Sequence, residues 1–143
     1  LGDAFNDFSG PYHLTTLEFQ RMVKGEMAED GFYVINIIDD FQKGRFLASL
    51  SQTLRQVFNT VFLVAPRGYF EGSGPGTYIL VATDREYDPK PWLDVPAKGQ
   101  SPIELDLVSP QQLAQYVEAN RALVLTDNFV PVDNMLSAIF VHQ

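Results

Sequence analysis

The stretch Phe32-Tyr33-Val34-Ile35-Asn36-Ile37-Ile38-Asp39-Asp40 decides the fold class of this chain. It is a nearly continuous apolar, β-branched run, which predicts a strand buried on both faces, as in a parallel sheet. Two aspartates stand at its carboxyl end. Before it, Thr15 and Glu18 have the spacing of a capping box, with Leu14 and Phe19 placed as a hydrophobic staple. Phe19, Met22, Val23 and Met27 follow at helical spacing, and Asp30-Gly31 ends that helix. After it, Leu47, Leu50, Leu54, Val57 and Phe58 form the apolar stripe of a helix predicted over 44–58. A strand is predicted over 61–65 and another over 77–83. The 66–76 loop between them, with four glycines and two prolines, is too short for a helical crossover, so these strands should be antiparallel neighbours.

Further out the signals weaken. Residues 84–108 read as one long Pro-rich loop holding Trp92, a kind of segment uncommon in compact domains unless it is functional. Ser109-Pro110-Gln111-Gln112 then opens a helix, with an N-cap, a proline at the first helical position and glutamine at the third. Leu113, Tyr116 and Val117 give its buried face. Residues 109–143 read as a helical appendage and tail. Alternating helices and buried strands define an α/β chain, here a single partial domain over 1–143. Ligands of such sheets bind beyond the carboxyl ends of the strands. Two acidic clusters lie at such ends, Asp3 to Asp7 and Asp39-Asp40, the latter favoured as a cap for the next helix.

Composition narrows the chemistry. Ten basic and 18 acidic residues give a formal net charge of −8 among 143 residues. That balance argues against nucleic-acid binding, which needs a basic footprint, and suits a cationic partner. With no cysteine and only two histidines, thiolate chemistry and multi-histidine metal sites are not expected. No apolar run approaches the ~20 residues of a membrane span. Leu1-Gly2-Asp3-Ala4-Phe5 carries no signal-peptide pattern and reads as the end of a strand begun upstream, so a fragment of a longer protein is expected.

Two segments carry a family resemblance. Asp3-Ala4-Phe5-Asn6-Asp7-Phe8-Ser9-Gly10-Pro11 resembles the post-strand motif of spermidine synthases, in which an Asp, two variable residues, a second Asp and Gly-Pro follow the fourth strand. Leu125-Thr126-Asp127-Asn128-Phe129-Val130-Pro131-Val132-Asp133 is similar to the Thr-Asp-Asp-Tyr-Ala-Pro-Val-Asp tail of spermidine-synthase-like proteins, some of them fused to membrane transporter segments. The resemblance implies the C-terminal half of a Rossmann-like, S-adenosylmethionine-dependent methyltransferase fold, mixed parallel and antiparallel, with an antiparallel last strand. It also implies a parent that moves an aminopropyl group from decarboxylated S-adenosylmethionine to an amine, or a methyl group from S-adenosylmethionine. A non-catalytic interaction or regulatory module on the same fold is the alternative.

By that resemblance Asp3 is the catalytic carboxylate. Asn6, Asp7 and Tyr69 fall at substrate-binding positions, and Pro11 and Leu14 line the adenine pocket. Such a carboxylate can bind a cationic amine, orient it and accept its proton. Asn6 stands where the family keeps its second Asp, which removes one charge that would attract a diamine. The family's glycine-rich cofactor loop has no counterpart here, because the 66–76 glycines lie between two strands. The isolated chain is therefore expected to hold no cofactor and to be inactive. A cytoplasmic location is expected, either free or as the cytoplasmic domain of a membrane-anchored parent. Half a doubly wound sheet leaves a strand edge open, so a homo-oligomer is expected.

Overall fold

The computed structural model describes residues 14–94 and 104–131, apart from the side chains of Trp92 and Asp94. Three helices and four strands follow in the order α1 (Leu17–Glu26), β1 (Tyr33–Asp39), α2 (Phe46–Arg55), β2 (Thr60–Pro66), β3 (Gly76–Thr83), β4 (Leu105–Val108) and α3 (Pro110–Ala119). The strands form one sheet in the order β1-β3-β2-β4. The expected antiparallel pairing of β2 with β3 is present, with Leu63 opposite Leu80.

The expected mixture of parallel and antiparallel pairing is not seen, since every pairing among the described residues is antiparallel. β1 and β2 do run in the same direction, as a strand–helix–strand unit requires. β3 inserts between them, with Ile35 opposite Leu80 on one side and Leu63 opposite the same residue on the other.

β1 is not buried on both faces. Ile35, Ile37 and Asp39 point inward, while Asn36 and Ile38 are exposed, Ile38 by 44%. Asn36 therefore needs no buried partner. The strand that is buried on both faces is β2, from Thr60 to Ala65. β1 lies at a sheet edge among the described residues, and its helix-covered face is the one that carries Ile35 and Ile37.

The segment expected as a loop over 84–108 contains structure at both ends. Lys90–Asp94 forms a 3-10 turn, and Leu105–Val108 forms β4 against β2. Four residues are too few for strand alternation to stand out from a Pro-rich context.

The main core lies between one sheet face and the helices. It joins Ile35, Ile37, Leu63 and Leu80 of the sheet to Leu47, Leu50 and Leu54 of α2, Leu113 of α3, and Leu125. A smaller cluster on the other face holds Phe62, Val64 and Val81 beneath Phe32 and Tyr87.

Local signals account for the helix ends with small shifts. α1 is capped by Thr16, whose hydroxyl accepts the Phe19 N–H at 3.2 Å. Thr15 is not the cap, and Glu18 instead accepts the Asp127 N–H at 3.0 Å. α3 carries the expected capping box between Ser109 and Gln112, with Pro110 opening the helix. Among the described residues no helix is long and apolar enough to cross a membrane.

Candidate functional site

β1 and β2 end on the same side of the sheet, where β3 and β4 begin. The turn after β1 (40–45) and the loop after β2 (67–75) therefore meet there. Asp39 and Asp40 organise both.

Asp39 is fully buried. Its Oδ1 accepts the Asp40 N–H at 2.8 Å and its Oδ2 accepts the Leu47 N–H at 2.7 Å. Leu47 lies in the first turn of α2, so the carboxylate satisfies a donor that the helix leaves free. This is the capping role favoured for the acidic pair. Burial pushes the Asp39 carboxyl up to about 6, against the opposing pull of these N–H groups. Gly44 packs directly on this carboxylate. A Cβ there would overlap Oδ1 of Asp39 and the carbonyl of Asp40.

Asp40 is 7% exposed. Oδ1 accepts the N–H groups of Gln42 at 2.9 Å and Lys43 at 3.0 Å, which closes the turn. Oδ2 reaches across and accepts the Gly74 N–H at 3.0 Å. The Gln42 amide donates to the Phe70 carbonyl at 2.6 Å. The two loops are thus tied at two points.

Aromatic rings fill the space beneath. Phe41 stacks on Tyr116 of α3 with ring centroids 4.2 Å apart, and meets Phe70 edge-on at 4.9 Å. The Tyr116 hydroxyl donates to the Phe41 carbonyl at 3.1 Å. Burial, helped by the nearby Asp39 charge, pushes the Tyr116 hydroxyl far up, so it stays protonated as a donor. Phe41, Phe70, Glu71, Asp106, Gln112 and Tyr116 line an open groove of about 560 Å³. Its polar rim is acidic. Asp106 also accepts the Gly68 N–H at 2.9 Å, which fixes the start of the 67–75 loop.

Of the residues assigned from sequence, Asp3, Asn6, Asp7 and Pro11 lie outside the described residues. Tyr69 lies at the site, on the loop after β2, and is 41% exposed. Its carbonyl accepts the Tyr78 hydroxyl at 3.0 Å, and its ring meets Tyr78 edge-on at 6.3 Å. Leu14 lies ahead of α1, where its carbonyl accepts the Gln20 side-chain N–H at 2.9 Å. Phe41, Gln42, Phe70 and Tyr116 were not singled out as site residues. Tyr116 was legible only as part of a helix stripe, and its ring stack with Phe41 is created by the tertiary fold.

The glycine-bearing 67–75 loop joins two antiparallel strands, so it leads into no helix N-terminus that could hold an anionic or nucleoside group. No group of three or more His, Asp or Glu side chains among the described residues converges as a metal site would.

Helices packed on a sheet, with polar loops gathered at the carboxyl ends of β1 and β2, define an α/β chain. Solved structures resemble this fold. One of them, the crystal structure of a probable spermidine synthase from Corynebacterium glutamicum ATCC 13032, superposes with a TM-score of 0.70 at 22% sequence identity. The match covers 87% of this chain and 45% of that one, so this chain spans about half the length of that structure. At this identity the likeness is one of fold. No family model matches the chain, and no curated protein sequence does.

Proposed function

We propose that this chain is the C-terminal half of a spermidine-synthase-like domain, with a methyltransferase-type sheet, whose full-length protein transfers an aminopropyl group to an amine. The observation that carries this reading is the fold match to a probable spermidine synthase over 87% of the chain. The Asp3 to Pro11 motif and the Leu125 to Asp133 segment support it from sequence.

Decarboxylated S-adenosylmethionine would supply the electrophilic carbon beside its sulfonium. Asp3 binds the cationic amine and accepts its proton, because a protonated amine has no lone pair with which to attack. Tyr69 and Asp7 border the amine. Asn6 replaces one carboxylate, which favours an acceptor less dependent on paired charge than a short diamine. Pro11 and Leu14 contact the adenine, and the remaining cofactor contacts come from sequence outside this chain. The acidic balance of the molecule suits a cationic substrate and no nucleic acid. The location is cytoplasmic.

The isolated chain self-associates through the edge and exposed face that β1 presents among the described residues. Sedimentation should show species larger than a monomer, and a monodisperse monomer would contradict this.

Calorimetry on the full-length protein tests the functional reading. Methylthioadenosine and putrescine should each bind the wild type, and Asp3→Asn should weaken the amine more than the nucleoside. Binding of neither compound would favour the second reading, a non-catalytic module, for which Asn6 is the specific indication.

A further inference from the structure

Asp40 is buried and its carboxylate is committed to backbone donors. Its two carboxylate oxygens accept three backbone N–H groups, those of Gln42, Lys43 and Gly74. All three partners are donors, so only a group that accepts on both oxygens satisfies them. An asparagine would turn its NH₂ toward at least one N–H. Gly74 is reached with φ at +97°, a left-handed conformation that favours glycine. The sequence thus supplies both halves of a clamp that spans 34 positions of chain.

The clamp acts on the loop that carries Tyr69. Asp40 holds its far end at Gly74, Asp106 holds its start at Gly68, and Gln42 holds its middle at Phe70. The Tyr78 hydroxyl holds the Tyr69 carbonyl itself. The Tyr69 ring is also set against Gly76, where an added Cβ would approach to 3.0 Å. These partners restrain where Tyr69 stands, and Asp40 is the buried, charged one among them.

We infer that Asp40 is a positioning residue, which fixes the Tyr69 loop over the amine and so sets amine affinity without touching the substrate. This rests on the proposed aminopropyl transfer. Losing one bond of the clamp, a hydrogen bond to a charged group, corresponds to roughly a ten-fold effect or more.

The test uses the full-length protein, Asp40→Asn, and two readouts. In hydrogen exchange, the Gly74 amide should exchange at least about ten-fold faster, while the sheet amides of Leu63 and Leu80 keep their protection. In steady-state kinetics with decarboxylated S-adenosylmethionine and whichever of putrescine or a longer amine the wild type turns over, the amine KM should rise about ten-fold. kcat and the cofactor KM should stay within about two-fold, a split that general destabilisation would not produce. Tyr78→Phe, which removes the hydroxyl that tethers the Tyr69 carbonyl and also interacts with the Phe41 backbone, should shift the amine KM in the same direction. It carries the test if Asp40→Asn does not fold. Unchanged Gly74 exchange overturns the clamp. An active wild type whose amine KM ignores both substitutions overturns the positioning role. A wild type without turnover overturns the functional reading instead, and exchange still decides the clamp.

Discussion

Gly44 and Asp39 show how tightly single residues are constrained at the carboxyl end of β1. The Asp39 carboxylate sits where a Cβ on residue 44 would have to go, and it gives up two hydrogen bonds if displaced. Gly44→Ala should therefore destabilise the fold by about 2–4 kcal/mol, from overpacking plus unmade bonds. Urea unfolding would measure this, and a loss below about 0.5 kcal/mol would contradict the packing described. Asp39 also makes stability depend on pH. Its folded-state value is raised from 3.8 to about 6, so the folded state holds a proton that the unfolded chain has released. The stabilisation is fully present below about pH 4 and is lost as pH rises through about 6. Relative to Asp39→Asn, the wild type should lose on the order of 3 kcal/mol between pH 4 and 7. Parallel pH profiles for the two proteins would contradict this. The sequence showed an acidic pair at a strand end ahead of a helix, and that much was legible. That one aspartate serves α2 while the other clamps a loop 34 residues away depends on contacts between distant segments, which local pattern does not contain.

At the scale of elements, α2 does more than fill the core. Its buried hydroxyls hold the segment after α3. Ser49 accepts the Leu123 N–H at 3.1 Å and Thr53 accepts the Leu125 N–H at 2.9 Å, while the Leu125 carbonyl accepts the Leu17 N–H of α1 at 2.7 Å. One short stretch thus links α1 to α2, and places fully buried Leu125 in the core. Thr53→Val keeps the shape and leaves a buried N–H unpaired, a change worth about 1–3 kcal/mol. Thr53→Ser, which keeps the hydroxyl, should retain most of that. Equal unfolding midpoints for valine and serine variants would contradict the account. The helices were readable because their caps and stripes are local. Ser109, Pro110 and Gln112 specify the start of α3, and the same residues form the observed box. β4 was not readable, since Leu105 and Leu107 become a strand only through pairing with Pro66 and Val64. The α1 cap fell one residue away because Glu18 is drawn to the Asp127 N–H instead of its own helix.

At the scale of the whole molecule, the α/β class followed from the Phe32 to Ile38 run and its flanking helices, but the strand order did not. Inserting β3 between β1 and β2 requires a return of the chain that no residue spacing encodes. The outcome, among the described residues, is a sheet with well-covered β2 inside it and a half-covered β1 at one edge. Both loops that follow the co-directional strands are gathered on one side, where the aromatic groove and Tyr69 stand. The likeness to a probable spermidine synthase concerns this arrangement as a whole, across 87% of the chain. The measurement that tests the central claim most directly is turnover by the full-length protein given decarboxylated S-adenosylmethionine and putrescine or a longer amine. Methylthioadenosine should form in equal amount with an amine lengthened by one aminopropyl group, and Asp3→Asn should slow this by about 10²-fold or more. Absence of the lengthened amine with every acceptor tried, or full activity in Asp3→Asn, would contradict the account.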